Sequence, residues 1–271
     1  MLEKNFVSLS GVTSSNELVK IAQIKERTGI EYPLAIGYQL SNKSMNQGIN
    51  NKRQPPFESI RELDRLTKSR GLIPSYHYYT KNNSTTFGDL ERLAKEVDLS
   101  NRTLLQLNTL PLQTDDYRKI KNLGFEIIYK LPISNKESGG YAVWKGDEVQ
   151  DASKGDARIL IRKAKKVVGF ADHLMFDPSH GTNHALDLSE DSLAIQFGDL
   201  VSINAAMVGM GLVYAGGINP ENAKEVIERL KGHFEEIGFS IDTESGVRNE
   251  RNELDLNKVR DYLIACKHFN N

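Results

Sequence analysis

Apolar residues recur along the chain in two alternating rhythms. Short runs rich in β-branched and aromatic residues read as strands, and apolar positions spaced three and four apart between them read as helices. Phe6-Val-Ser-Leu9 is a first strand. Ser10 to Ser15 is a turn, with Ser14 or Ser15 as candidate cap of a helix whose stripe is Leu18, Ile21, Ala22 and Ile24. Pro33 to Tyr38 is the second strand, a long polar loop runs from Ser41 to Pro56, and Ile60, Leu63 and Leu66 mark the next helix. Leu72 to Tyr78 is the third strand, although Pro74 counts against a regular central one. A helix on Leu90, Leu93, Ala94 and Val97 leads to strands at Thr103 to Leu107 and Phe125 to Leu131, with a helix around Tyr117 to Leu123 between them. Ser134 to Gly155 reads as an irregular insertion before a helix from Ala157 to Val168. Asp172 to Phe176 is strand six, followed by a helix capped by Ser189 with Glu190 and Asp191 in its first turn. Leu212 to Ala215 and Phe239 to Asp242 are strands seven and eight, and Asp255 to Cys266 is the closing helix.

Short apolar strands separated by helices imply a parallel sheet buried on both faces. Eight such units, with no linker, repeat or low-complexity segment, predict an α/β chain folded as a single (β/α)8 TIM barrel over residues 1–271. The G-x-G-x-x-G fingerprint of a dinucleotide fold does not follow the first strand.

The seventh and eighth units carry a further signal. Leu212-Val-Tyr-Ala-Gly-Gly-Ile-Asn-Pro-Glu-Asn-Ala223 runs from a strand through a glycine pair into a helix start, with Asn219 as N-cap and Pro220 in the first helical position. One unit later, Phe239-Ser-Ile-Asp242 runs into the loop Thr243-Glu-Ser-Gly-Val-Arg248. Paired glycine turns after strands seven and eight are where such barrels bind phosphate, through backbone N–H groups. Gly216, Gly217, Ser245 and Gly246 are therefore the expected phosphate ligands.

Composition adds exclusions. A net charge of −1 gives no global attraction to nucleic acid or to an anionic membrane. The longest largely apolar stretch, Ile203 to Ile218, is too short to span comfortably and is interrupted by glycines. The charged start Met-Leu-Glu-Lys-Asn does not read as a signal peptide, so a cytoplasmic protein is expected. Cys266, the single cysteine, excludes an internal disulfide and reads as a small buried hydrophobe. No cofactor is expected.

In this fold chemistry sits where strands give way to their following loops. Asp177, directly after Leu174-Met-Phe176, is the leading candidate: a carboxyl at a partly desolvated mouth is expected to have a raised pKa, suited to a general acid. His77 is a candidate base or a structural histidine beside its tyrosines. Lys130 is a Schiff-base former if it points inward, which alternation by itself leaves open. Tyr76 to Tyr79 read as wall packing. Asp177, His180 and His184 form a weak metal trio, ordinary loop polarity being the commoner explanation, so no metal is expected.

Several of these stretches resemble the phosphoribosylanthranilate isomerase family, barrel enzymes of tryptophan biosynthesis. Ala215-Gly-Gly-Ile-Asn-Pro-Glu-Asn222 resembles the family's seventh-strand phosphate loop, and Asp242-Thr-Glu-Ser-Gly-Val247 its eighth-strand loop. Gly181-Thr-Asn-His-Ala-Leu-Asp187 resembles the stretch after the family's catalytic Asp, which places Asp177 in the acid role. Ser8-Leu-Ser-Gly-Val-Thr13 resembles the opening Lys-Ile-Cys-Gly-Ile-Thr, whose Cys is the family's general base; here that position is Ser10, and Ser8 stands for the Lys. The family's anthranilate-holding Arg aligns near Asn46, with Arg53 further along the same loop, and Tyr129 falls roughly where the family carries Lys. The resemblance implies an Amadori-type isomerase acting on a phosphorylated small molecule, with Asp177 as acid and Ser10 or a recruited group as base. The alternatives are a phosphosugar binder without turnover and a lyase or aldolase using Lys130.

Overall fold

The computed structural model describes residues 5–109, 112–131, 133–135, 141–145, 148–151, 157–179, 186–234 and 238–269. In chain order its strands are β1 (Val7–Ser10), β2 (Leu34–Ser41), β3 (Ile73–Thr80), β4 (Leu104–Thr109), β5 (Glu126–Lys130), β6 (Ile133–Asn135), β7 (Tyr141–Lys145), β8 (Glu148–Asp151), β9 (His173–Phe176), β10 (Gly211–Ala215) and β11 (Ser240–Thr243). The helices are α1 (Ser15–Thr28), α2 (Asn42–Gln47), α3 (Ile60–Ser69), α4 (Thr86–Glu96), α5 (Thr114–Lys121), α6 (Ala157–Ala164), α7 (Leu193–Ser202), α8 (Ala223–Phe234) and α9 (Leu256–Ala265). Strands β1 to β5 and β9 to β11 pair in parallel and close into a (β/α)8 barrel where β11 meets β1, with Ser8 opposite Asp242.

Alternation along each strand separates two cores. Outward residues such as Leu9, Ile36, Ile127 and Tyr214 pack under the helices. Inward ones, Phe6, Ala35, Leu104, Ile128, Met175, Val213 and Ala215, fill the lower barrel. Two residues further along, the same inward faces carry Ser8, Gly37, Gln106, Lys130 and Asp177. The interior is therefore apolar at the floor and polar at the mouth.

Four local expectations are revised. Ser41 to Pro56 is not all loop: Ser41 and Ser44 form a reciprocal capping box that starts α2. Ser192, not Ser189, caps α7, because the Ser189 hydroxyl and N–H are both taken by Asp187. Asn219 does accept from Glu221 and Asn222 N–H, but the α-helix it leads into starts only at Ala223. The insertion after β5 is not irregular throughout, since β6, β7 and β8 form a small antiparallel sheet. Pro74 is tolerated because at that point β3 pairs only with β2; its register with β4 begins at Ser75.

Of the expected wall tyrosines, Tyr76 and Tyr78 are packing groups with satisfied hydroxyls, whereas Tyr79 is half exposed. Tyr76 donates to Asp64 at 2.9 Å and Tyr78 to Asp89 at 2.5 Å, tying β3 to α3 and α4. Cys266 is fully buried, and that burial pushes its thiol up to about 12, against a smaller lowering by Tyr262, so it is chemically quiet.

A polar clamp holds the floor. Glu126 accepts two bonds of 2.8 Å from Arg102 and is bonded by His173, whose ring packs edge-on to Phe6. Gly211 leaves room for that histidine: a Cβ there would lie 2.1 Å from Nδ1. Burial raises the Glu126 carboxyl, but His173 and Arg102 lower it further, to about 2. A depressed carboxyl stabilises the fold above its unfolded pKa, and the contribution fades as pH falls toward the folded value. Glu126→Gln is therefore expected to cost about 2 kcal/mol at neutral pH, with the gap to wild type narrowing below about pH 4.5; chemical denaturation across that range checks both statements.

Candidate functional site at the barrel mouth

The two glycine loops meet through backbone packing. After β10 the chain turns at Gly216 (φ 114°) and Gly217 (φ 60°), conformations that favour glycine. After β11, Thr243 Oγ1 donates to the Ile218 carbonyl at 2.5 Å. Gly246 lies so close to this segment that a Cβ would fall 2.1 Å from Ile218 O and 2.9 Å from Asn219 Cα. The N–H groups of Gly216, Gly217, Ser245 and Gly246 have no acceptor among the described residues. Gly216, Gly217 and Ser245 line the mouth, a cavity of about 810 Å³, while Gly246 backs onto the neighbouring loop.

Asp177 is placed against the first loop. A Cβ on Gly216 would lie 3.6 Å from its Oδ1. Its Oδ2 pairs with Lys130 Nζ at 2.5 Å, and Oδ1 accepts from Ser179 Oγ at 2.7 Å and Ser179 N at 3.0 Å. The expected raised pKa is not found. Burial does push the carboxyl up, but the Lys130 charge and hydrogen bond, with the two Ser179 bonds, outweigh it and leave Asp177 below its ordinary value. Lys130 points inward, on the same face as Ile128, and its ammonium is engaged by that carboxylate.

Ser10 is fully buried and lines up with Asp242 across the β1–β11 seam. Its Oγ donates to Asp242 Oδ1 at 2.7 Å. Gly37 on β2 makes the space, since a Cβ there would lie 2.4 Å from Ser10 Oγ. The hydroxyl therefore does have a neighbouring proton acceptor, which the sequence alone did not reveal. Asp242 is the counterpart of Asp177 in environment but shifts the other way. Burial raises it more than His77, Ser8 and Ser10 lower it, and Glu244 adds to the rise.

His77, also inward and buried, bonds Ser75 Oγ at 3.2 Å; burial lowers its pKa toward the neutral imidazole, opposed by Asp242, Glu244 and Asp177. Arg53 reaches the cavity wall but pairs with Glu244 and donates to Asn252 at 2.9 Å. Asn46 turns away instead, donating to Asp89 at 2.7 Å and accepting from Arg92. Tyr129 packs edge-on to Tyr117 of α5, and Tyr79, half exposed, stands over the mouth. Gln106 Oε1 is buried with no partner among the described residues. His180 and His184, two members of the weak metal trio, lie outside the described residues, as do residues 181–185; among the described residues no group of acidic, His or Cys side chains could hold a metal ion. Of the residues read from sequence, Asp177, Ser10, Gly216, Gly217, Ser245, His77, Lys130 and Arg53 converge on one mouth. Asp242 was missed, although it shares inward parity with Ser240, whose hydroxyl accepts from Phe6 N–H inside the floor.

This arrangement defines a (β/α)8 barrel with a polar, carboxylate-bearing cavity beside paired glycine loops. No protein-family model matches the chain. It is 23% identical to N-(5'-phosphoribosyl)anthranilate isomerase of Methanococcus aeolicus over 263 residues, 97% of this chain and 98% of that protein. It is also 23% identical to the enzyme of the same name from Pyrococcus abyssi over 264 residues, with the same coverage. The crystal structure of a phosphoribosyl anthranilate isomerase with reduced 1-(o-carboxyphenylamino)-1-deoxyribulose 5-phosphate superposes with a TM-score of 0.61 at 17% identity, covering 97% of this chain and 99% of that one. The chain is a divergent relative of the phosphoribosylanthranilate isomerases, similar to them along its whole length. Among the described residues, no helix is long and apolar enough to cross a membrane.

Because the Gly246 contacts are to backbone, neither partner can swing aside. Gly246→Ala is expected to part the two loops and cost about 1–3 kcal/mol, read as a lower Tm in thermal unfolding.

Proposed function

We propose that the protein isomerises a phosphoribosylamine, phosphoribosylanthranilate or a near relative of it, to the corresponding aminoketose. The observation that carries this reading is the meeting, in one cavity, of free N–H groups at the two glycine loops with two buried carboxylates of opposite electrostatic setting. The full-length similarity to named isomerases supports it.

In this reading the phosphate takes the N–H groups of Gly216, Gly217, Ser245 and Gly246, its three acceptor oxygens supplying the partners these groups lack. The ribosyl ring then lies between Asp177 and the Ser10–Asp242 pair, and the aryl group extends toward Tyr79 and Leu131. The Lys130–Asp177 pair supplies the proton to the ring oxygen. As that oxygen takes it, the C1–O bond breaks and the nitrogen lone pair forms the C1=N bond. Since Asp177 rests ionised, the proton is held by the pair on the Lys130 ammonium and returns there when the cycle closes. Lys130 thus holds the proton for the pair rather than attacking substrate; an ammonium held by a carboxylate is no free amine for a Schiff base, which disfavours a lyase. Arg53 and His77 border the substrate, Arg53 fixed by Glu244 and His77 neutral. Localisation in the cytoplasm fits a small-molecule substrate of this kind.

Asp177→Asn keeps the shape of the side chain but ends proton transfer. Turnover of phosphoribosylanthranilate is expected to fall by about two to four orders of magnitude, while phosphosugar affinity, measured by calorimetry, stays within about threefold because the phosphate loops are untouched. Loss of binding together with activity would show Asp177 to be structural. A wild-type protein that binds the phosphosugar without converting it would establish the non-catalytic reading instead.

A further inference from the structure

We infer that Asp242, rather than Ser10, is the base that removes the C2 proton, with Ser10 as a positioning residue. This rests on the isomerisation proposed above and assigns the half of the reaction which that proposal left open.

The direction of one hydrogen bond carries the argument. Ser10 Oγ is the donor and Asp242 Oδ1 the acceptor, at 2.7 Å, with both side chains buried. A hydroxyl whose proton is already committed to a carboxylate is not itself a proton acceptor of any strength. If it were to accept a proton from carbon, it would have to pass its own to Asp242, so in either route the proton ends on the carboxylate. Position agrees with this. Asp242 is the inward residue at the mouth end of β11, lines the cavity, and comes three positions before Ser245. A sugar whose phosphate is seated on that loop passes beside it.

The second observation is that, among the described residues, no cation pairs with Asp242. Asp177 has Lys130 in contact, whereas the residues bonded to Asp242 are the neutral hydroxyls of Ser8 and Ser10. The titratable groups facing it are His77 from β3, Glu244 of its own loop, and Tyr262 of α9, whose phenol burial holds protonated. His77 is pushed toward neutrality, and Glu244 is itself taken by Arg53. A desolvated carboxylate without a cation binds a proton more strongly than an ordinary one, which suits abstraction from carbon near neutral pH. The paired carboxylate at Asp177 is the weaker base of the two.

The step balances without any co-reactant. After ring opening, the C2–H proton passes to Asp242, the bonding pair becomes C1=C2, and the C1=N pair returns to nitrogen, giving a neutral enolamine. Asp242 then returns its proton to C1 while the C2 hydroxyl gives its own to the Lys130–Asp177 pair. The product carries a C2 carbonyl and a C1 methylene, and both acid–base pairs regain their starting charge.

The test compares wild type, Asp242→Asn and Ser10→Ala for turnover of phosphoribosylanthranilate across pH, for the isotope effect with C2-deuterated substrate, and for affinity toward the reduced product analogue. Asp242→Asn is expected to lower kcat by at least about a hundredfold with analogue affinity within about threefold. Ser10→Ala is expected to lose only about tenfold and to move the acidic limb of kcat/KM to higher pH, since it removes a bond that lowers Asp242. A merely structural serine would leave that limb in place. A Ser10→Ala loss of about a hundredfold or more, with an unmoved limb, would overturn the inference, and it does so even if Asp242→Asn fails to fold. Wild-type turnover that survives Asp242→Asn removes this base alone, and a wild type with no turnover removes the isomerisation and the base together.

Discussion

Closure of the parallel ladder is the constraint on which everything else depends. Once β11 pairs with β1, each strand has one face toward the axis and one toward the helices, and a side chain's parity decides which it joins. On the inward faces the lower positions must exclude water, and Phe6, Ile128, Met175 and Val213 do so. The upper positions open to solvent and are released from that demand. His77, Gln106, Lys130, Asp177 and Asp242 occupy them, with Ser8 and Ser10 buried beside Asp242, so the polar site is a consequence of where the barrel stops being filled.

Within that mouth the two carboxylates are distinguished by neighbours rather than by depth, since both are 8% exposed. Burial raises both. At Asp177 a lysine and a serine more than reverse the effect; at Asp242 two hydroxyls and a nearly neutral histidine do not. Environments that push two like groups apart are what acid–base chemistry on one substrate requires. The difference follows from which residue stands on the adjacent strand: Lys130 at the end of β5 for one, and Ser8 and Ser10 on β1 for the other.

Close packing fixes these positions. Gly37 admits Ser10, Gly246 lets the two glycine loops touch, and Gly216 allows the chain to turn against Asp177. At Gly37 the space of the absent Cβ is taken by Ser10 Oγ, and at Gly246 by the backbone of Ile218 and Asn219.

The sequence by itself determined the architecture and half of the site. Strand and helix periods, and the glycine turns after the seventh and eighth strands, are local signals, and local geometry reproduces them. They pointed to Asp177, Gly216, Gly217 and Ser245, which line the mouth, because each lies within two residues of the end of a strand. The alternation of Ile128 and Lys130 held the lysine's direction, but only once the inward face had been fixed by partners from other strands. The ionisation of Asp177, the Ser10–Asp242 bond and the turning of Asn46 away from a cavity that Arg53 lines were decided by tertiary structure alone. Ser10 and Asp242 are 232 positions apart, and a pKa is set by whatever charge and solvent closure brings near, which no local pattern encodes.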